Sequence, residues 1–134
     1  MEVVERIRVV AAVIERGDRY LITQRRTQAA LGGLWEFPGG KVDEGESDQA
    51  ALIRELRERL GAHGEVVRKL GERHHAYEGY EVALALYEVR LDPDPPPHAE
   101  NVQDLKWVAS EDFARYRFCE ADQGTMDQLL GIKR

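Results

Sequence analysis

Apolar positions near the start of the chain predict two strands joined by a tight turn. The segments RIRVVAAVIERG and RYLITQRR are rich in β-branched and aliphatic residues, and Gly17-Asp18 between them is typical of a hairpin turn. From Val9 to Ile14 every residue is apolar, a pattern typical of a strand buried on both faces. The first segment therefore predicts a central strand of a sheet.

A change to helical spacing follows a loop from Thr27 to Gly40 that is interrupted by glycines and a proline. Ser47 is a preferred N-cap residue and Gly61 a preferred helix stop, so we expect a helix from about Ser47 to Leu60. The stripe that makes one face of this helix apolar consists of Leu52, Ile53, Leu56 and Leu60. This face is predicted to pack in the core.

The second half of the chain predicts further strands and a terminal helix. Strands are expected in GEVVRKLGERHH, in YEVALALYEVRL and in LKWVA. The segment DPDPPPHAEN cannot continue a sheet, because its prolines lack N–H donors. Ser110 is expected to cap a helical turn, and a last helix is expected from Asp122 to Leu130. The order of elements predicts one α/β domain over residues 1–134.

Composition and charge narrow the classes of function. The 134 residues are 43% hydrophobic and 33% charged, which fits one globular domain. No apolar run approaches the roughly 20 residues of a membrane helix. Charged residues such as Glu5 and Arg8 interrupt the N-terminal apolar stretch, which predicts a strand rather than a signal peptide.

Cysteine content and net charge bear on location and partners. Cys119 is the only cysteine and cannot form an internal disulfide, which favours a reducing cytoplasm. The formal net charge of −6 argues against attraction to nucleic-acid polymers. It leaves room for a small anionic substrate, because metal ions can reverse the local sign of the charge.

Carboxylates and glycines meet where the predicted loop passes into the helix. Glu55 and Glu58 are three residues apart and share a flank of the helix, a placement that by itself is typical of a solvated face. The preceding Pro38-Gly39-Gly40 lets the backbone approach a ligand closely and present a carbonyl group. Carboxylates with a carbonyl are the oxygen ligands that Mg²⁺ prefers. Such an ion beside a pyrophosphate can neutralise charge and activate water.

The spacing of Gly40, Glu46, Arg54-Glu55-Leu56, Glu58 and Gly61-Ala62 resembles the Nudix box. Members of that family hydrolyse nucleoside diphosphates linked to another group, commonly at a pyrophosphate bond with Mg²⁺ or Mn²⁺. The resemblance extends to LGGLWEFPGGKVDEGE and LKWVASEDF and is to MutT-like members, which cleave nucleoside triphosphates to monophosphates. It implies an α/β/α sandwich with a mixed β-sheet.

The resemblance also implies roles for individual residues. The implied catalytic residues are Glu55, Glu58 and Arg54, with Glu55 helping to activate water, and Glu46 is implied to hold the loop to the helix through Arg54. The implied metal ligands are Gly40 through its carbonyl, Glu55, Glu58 and Glu100. Glu100 is one residue farther from Trp107 than the resemblance leads us to expect, so Asp104 is an alternative ligand.

Three residues are implied or expected to contact substrate. Arg25 matches a position that contacts phosphate in MutT-like proteins. Trp35 either packs in the core or stacks on the base. Asp122 either caps the last helix or reads the base. As a carboxylate it only accepts hydrogen bonds, so it would favour the N–H groups of cytosine or of a guanine edge.

Arg59 departs from the family pattern, which has a metal-binding glutamate at this position. Three outcomes are open: one of two metals is lost, Arg59 swings out and leaves a weakened site, or the guanidinium contacts phosphate. The main hypothesis is a pyrophosphohydrolase of a nucleoside triphosphate such as 8-oxo-dGTP or a modified CTP. Its rivals are a catalytically impaired nucleotide-binding module and a hydrolase of nucleotide sugars or dinucleoside polyphosphates. The chain is expected to bind neither nucleic acid nor membrane and to be a monomer or small homo-oligomer.

Overall fold

The computed structural model describes residues 5–29 and 31–119. Within them lie eight strands, one α-helix and one 3-10 helix. In chain order these are β1 (Glu5–Val13), β2 (Glu15–Arg16), β3 (Arg19–Gln24), β4 (Trp35–Glu36), β5 (Gly39–Lys41), α1 (Asp48–Leu60), β6 (Gly64–Tyr77), β7 (Tyr80–Leu91), β8 (Asp104–Ala109) and η1 (Ser110–Arg115).

The first sheet has the strand order β5-β1-β7-β6 and is mixed. β1 runs parallel to β7 along its whole length and antiparallel to β5, while β6 pairs antiparallel with β7. The apolar run in β1 has its expected cause, because the sheet buries both faces of this strand. Val10 and Ala12 pack in the cluster that includes α1, whereas Ala11 packs in a second cluster.

The second sheet is built around β3, which pairs with β2, β4 and β8. The predicted turn at Gly17-Asp18 is present, but the hairpin that it closes is short. Glu15 and Arg16 pair with β3 across this turn, and the Ile14 oxygen accepts the Leu21 N–H at 3.0 Å. The longer segment before them, β1, belongs to the first sheet, where strands on both sides satisfy its backbone. Neighbouring strands in the sequence are thus divided between two sheets.

Helix α1 begins and ends where the sequence predicts. The Ser47 Oγ accepts a hydrogen bond from the Ala50 N–H at 3.1 Å, and Gly61 closes the helix with φ of 59°. The core face differs in one respect from the predicted stripe, since Ile53 is only half buried. The residues that are buried on this face are Ala51, Leu52, Glu55, Leu56 and Leu60. A carboxylate therefore occupies part of the buried face.

The remaining elements confirm most of the predicted pattern. β7 has the predicted bounds, and β6 is longer than expected and contains two irregularities, at Val66/Arg68 and at Lys69/Gly71. The predicted cap at Ser110 is wrong: Ala109 holds the cap position without a side-chain hydrogen bond, and the turn is a 3-10 helix held by the buried Phe113. The predicted helix from Asp122 to Leu130 lies outside the described residues.

The predicted class, a single α/β domain with a mixed sheet, agrees with this architecture. In the part of the chain that the structure describes, no helix has the length and apolar character needed to cross a membrane.

Candidate functional site

The segment Pro38-Gly39-Gly40, called the glycine turn below, lies between β1 and α1, and this close approach explains its composition. A Cβ atom on Gly39 would lie 1.9 Å from the backbone oxygen of Val10. A Cβ atom on Gly40 would lie 2.4 Å from the carboxyl carbon of Glu55. A Cβ on Gly39 would thus meet backbone, whereas a Cβ on Gly40 would meet the end of the Glu55 side chain. Gly40 therefore brings the backbone of β5 directly against the Glu55 carboxylate.

Arg54 connects the loop before α1 with the carboxylates on the helix. It donates to both oxygens of Glu46, each at 2.8 Å, and to the backbone oxygen of Lys41 at 3.0 Å. It also donates to Glu55 at 3.0 Å and to Glu58 at 3.2 Å. The Arg54 guanidinium, helped by the Asp43 N–H, lowers the pKa of Glu46 to about 2. Glu46 is therefore ionised at neutral pH and ties the loop to the helix.

Glu55 is buried and held on both sides by arginines. Its side chain is 8% exposed, one oxygen accepts from Arg54, and the other accepts from the Nε of Arg59 at 2.6 Å. Glu58 differs, because its side chain is 55% exposed and bonds to Arg54 through one oxygen. Arg59 thus turns inward onto Glu55, with 26% of its side chain exposed.

Glu36 is a charged residue of this region that the sequence pattern did not indicate. Its side chain is 16% exposed and pairs with Arg25 at 3.3 Å. Burial raises the pKa of the Glu36 carboxyl, and the charge of Glu55 adds to this rise, although Arg25 and Arg59 oppose it. A glutamate between the aromatic residues Trp35 and Phe37 is the signal that could have identified it, since an acid in an apolar run needs a partner when buried.

A cleft of about 210 Å³ opens beside the glycine turn. At one end it is lined by Arg25, Glu36 and Gly40, and elsewhere by Tyr77 and Tyr80. The two tyrosine rings stack with centroids 5.0 Å apart and an interplanar angle of 12°. Tyr80 pairs with Glu5 and Gly40 with Val10, so the two ends are separated by five residues of β1, roughly 16 Å. The cleft has a charged end and an aromatic end.

Trp35 packs in the core in this structure. Its exposed fraction is 8%, and its ring meets Tyr116 edge-on with centroids 5.1 Å apart. The residues that line the cleft do not include it. The packing interpretation therefore describes its observed surroundings, and base stacking by Trp35 stays a prediction. Asp122, the other residue predicted to contact the base, lies outside the described residues.

The loop that carries Glu100 closes the C-terminal end of α1. The backbone N–H groups of Glu100 and Asn101 both donate to the backbone oxygen of Arg59, at 3.1 and 3.0 Å. The Glu100 carboxylate contacts the His98 ring at 2.6 Å. Asp104 lies at the start of β8 opposite Gln24, and its carboxylate accepts the N–H of Leu105. Glu100 is thus tied by its backbone to the same helical turn as Arg59, and the choice between the two acids as a ligand stays a prediction.

The chemistry of these donors fits a hard divalent cation. Glu55, Glu58 and the Gly40 carbonyl offer oxygen ligands, and the absence of a Cβ on Gly40 allows close approach. Yet no group of three or more His, Cys, Asp or Glu side chains among residues 5–29 and 31–119 is arranged to hold an ion. Arginines donate to both oxygens of Glu55, so a cation that binds this carboxylate either shares its oxygens with two guanidinium groups or replaces one of them.

Comparisons with known proteins agree with this arrangement. A family model described as NUDIX domain matches residues 9–128. The chain is 35% identical to the CTP pyrophosphohydrolase of Escherichia coli K12 over 127 residues, which cover 95% of this chain and 93% of that protein. It is 40% identical to the 8-oxo-dGTP diphosphatase of Proteus vulgaris over 58 residues, which cover 42% of this chain and 52% of that protein. The crystal structure of the MutT NUDIX hydrolase from Burkholderia pseudomallei aligns with a TM-score of 0.83 at 26% identity, covering 92% of this chain and 98% of the other.

Proposed function

The chain belongs to the NUDIX domain family, and we propose that it is a pyrophosphohydrolase of nucleoside triphosphates. In this reaction water attacks a phosphorus of the triphosphate, pyrophosphate leaves and a nucleoside monophosphate remains. The observation that carries the proposal is the contact set of Arg54, which gathers Glu46, Glu55 and Glu58 beside the glycine turn.

The proposed substrates are an oxidised or otherwise modified nucleotide, such as 8-oxo-dGTP or a modified CTP. The similarity to a CTP pyrophosphohydrolase and to an 8-oxo-dGTP diphosphatase supports this choice. The cleft supports it as well, because stacked tyrosines suit a nucleobase and Arg25 suits phosphate oxygens.

The proposed cofactor is Mg²⁺ or Mn²⁺, with Gly40, Glu55, Glu58 and Glu100 as ligands. Such a cation supplies positive charge that polarises phosphate oxygens and stabilises the charge that develops during transfer. Glu55 accepts a proton from the attacking water, which its position against the glycine turn allows. Arg54 orients Glu55, and Arg25 exchanges its contact with Glu36 for the substrate phosphate.

A nucleotide-binding module without catalysis is the second candidate, and Arg59 is the feature that favours it. Its contact with Glu55 competes with metal for that carboxylate. We favour the enzyme because Arg54 still contacts both Glu55 and Glu58, although Arg59 contacts Glu55 as well. The proposal also includes a cytoplasmic location, suggested by the lone Cys119, and a monomer or small homo-oligomer without nucleic-acid polymers as partners.

The test is a product analysis on a panel of nucleotides. The protein is incubated with Mg²⁺ or Mn²⁺ and with unmodified and oxidised nucleoside triphosphates, and pyrophosphate and orthophosphate are measured separately. Pyrophosphate with the matching monophosphate is the expected result. Release of orthophosphate alone, or binding of nucleotide without any product, contradicts the proposal.

A further inference from the structure

Arg59 links two acidic parts of the site, Glu55 on α1 and the loop that carries Glu100. Its Nε donates to Glu55 at 2.6 Å, and its positive charge opposes the rise that burial causes in the pKa of Glu36. Its backbone oxygen accepts the N–H groups of Glu100 and Asn101. Arg59 therefore contacts the predicted ligand Glu55 through its side chain, and the loop of the predicted ligand Glu100 through its backbone.

Arg59 belongs to a connected network of ion pairs. The network contains two arginines and four carboxylates, with a formal net charge of −2 if all are ionised. The members are Arg54, Arg59, Asp43, Glu46, Glu55 and Glu58. With a glutamate at position 59 the same set would carry −4. The difference of two charges equals the charge of one divalent cation.

We propose that the Arg59 guanidinium is a built-in cation that takes the place of one divalent metal ion at Glu55. It holds Glu55 in position before metal binds, and the protein binds one divalent cation fewer than it would with glutamate at position 59. This inference rests on the proposed function, because it concerns the metal requirement of that same site.

The chemistry of the contact supports this role. A guanidinium stays protonated at every physiological pH and is weakly hydrated, so it suits a partly buried position. Its short hydrogen bond to a carboxylate is charge-assisted and strong. A metal ion that approaches the same oxygen of Glu55 meets the like charge of the guanidinium, which already uses one lone pair of that oxygen. A glutamate at this position would instead add a ligand and a negative charge.

The test counts Mn²⁺ ions in the absence of nucleotide, with free Mn²⁺ measured by electron paramagnetic resonance. Wild type is compared with Arg59→Glu and with the control Arg57→Glu, which makes the same charge change in the same helical turn at an exposed position. The expected result is one additional Mn²⁺ per chain in Arg59→Glu and the wild-type number in Arg57→Glu. An unchanged number in Arg59→Glu, or an equal gain in Arg57→Glu, overturns the proposal.

Thermal unfolding in EDTA supplies a second readout that does not depend on turnover. Arg59→Glu is expected to melt below Arg57→Glu without metal and to gain more from Mn²⁺ than wild type. If Arg59→Glu and wild type have the same melting temperature in EDTA, Arg59 is not the counter-ion of Glu55. Should Arg59→Glu fail to fold, Arg59→Lys and Arg59→Gln are measured in its place. Arg59→Lys should bind the wild-type number of Mn²⁺ ions, and Arg59→Gln should bind Mn²⁺ more tightly than wild type. Equal binding of Mn²⁺ by the two variants overturns the proposal.

These measurements separate the two proposals. If the ion counts are as expected but no nucleotide is hydrolysed, the proposed function is refuted and the proposal for Arg59 is supported. If the protein is an active pyrophosphohydrolase but wild type and Arg59→Glu bind the same number of ions, the proposed function is supported and the proposal for Arg59 is refuted.

Discussion

At the scale of single residues, the arrangement depends most on Glu55, which lies against Gly40 and contacts two arginines. We expect Glu55→Gln to lower the rate of pyrophosphate release by roughly 10²-fold or more, because the amide keeps the shape but cannot accept the proton of water. Glu44→Gln, which changes an exposed glutamate of the preceding loop, is the control and should leave the rate unchanged. Near wild-type turnover in Glu55→Gln removes Glu55 from the mechanism.

Arg59 gives the second prediction at this scale. Two unit charges about 4 Å apart interact by about 4 kcal/mol at an effective dielectric constant near 20, so Arg59 should weaken metal binding even if side-chain movement relieves most of the repulsion. Arg59→Glu is expected to lower the Mg²⁺ concentration for half-maximal activity and to raise the rate, with Arg59→Ala between it and wild type. If Arg59→Glu is slower at every Mg²⁺ concentration, Arg59 contacts the substrate phosphate.

Site residues that lie close together on one element could be predicted from the sequence. Site residues that depend on contacts between segments far apart in the chain could not. Arg54, Glu55 and Glu58 lie on one helix, so their proximity follows from helical geometry. Glu36 meets Arg25 only because β4 pairs with the end of β3 in the second sheet. The inward turn of Arg59 could not be predicted either, since its direction depends on the buried carboxylate of Glu55.

At the scale of elements, β5 gives a prediction that separates stability from activity. In Gly39→Ala the new Cβ meets the backbone of β1, which cannot move cheaply, so we expect a loss of about 1–3 kcal/mol in the free energy of unfolding. In Gly40→Ala the Cβ meets the end of the Glu55 side chain, which can move. The fold should then survive while a displaced Glu55 lowers activity on the order of 10²-fold.

Urea unfolding and pyrophosphate release, measured on both glycine variants, check this division. The prediction is contradicted if both variants lose the same stability and Gly40→Ala keeps its activity per folded molecule. Catalysis would then not depend on the position of Glu55 against β5.

The contact between α1 and the first sheet predicts a dependence of stability on alkaline pH. The Tyr87 hydroxyl donates to Asp48 in the first turn of α1 at 2.9 Å, and burial together with Asp48 raises the pKa of Tyr87 from 10.0 to about 12. The neutral tyrosine is thus favoured in the folded state. Its contribution is fully present below pH 10 and is lost as the pH rises to about 12. At about 1.4 kcal/mol per pKa unit, the loss is at most about 2–3 kcal/mol, and solvent screening of the hydroxyl reduces it.

Tyr87→Phe tests this linkage. The variant should lose about 1 kcal/mol at pH 8, where the hydrogen bond is intact in wild type. It should lose less additional stability than wild type between pH 10 and 12. Urea unfolding across this range is the measurement, and parallel curves for the two proteins would contradict the assignment.

Local signals account for the elements that the sequence predicted well. Ser47 and Gly61 fix the ends of α1 through a side-chain cap and a left-handed backbone, both encoded by single residues. The division of β1 and β3 between two sheets is not encoded in this way. It depends on β7 and β8, which lie far along the chain and supply the pairing partners.

At the scale of the whole molecule, strand pairing decides which aromatic residues face the cleft. Trp35 adjoins the glycine turn in the sequence, but β4 pairs with β3 in the second sheet and the indole packs against Tyr116. Tyr77 ends β6 and Tyr80 begins β7, far along the chain from the glycine turn. The pairing of β7 with β1 nevertheless places the two tyrosines at the aromatic end of the cleft. The sequence indicated Trp35 as the aromatic candidate for the base, whereas the position of Tyr77 and Tyr80 beside the cleft depends on strand pairing that no local signal encodes.

The position of the tyrosine stack yields the last prediction. Stacking on an aromatic side chain contributes about 1–3 kcal/mol per base, so Tyr77→Leu or Tyr80→Leu should raise KM for a nucleoside triphosphate roughly 5- to 150-fold. The rate at saturation should change little, because the charged end of the cleft, roughly 16 Å away along β1, is left intact. Trp35→Leu is the comparison, and as a core substitution it should lower stability while the folded fraction keeps its KM. Steady-state kinetics with urea unfolding distinguish the cases. A raised KM in Trp35→Leu with wild-type values in both tyrosine variants would place the base on Trp35 instead, and the cleft beside Tyr77 and Tyr80 would lose its assignment.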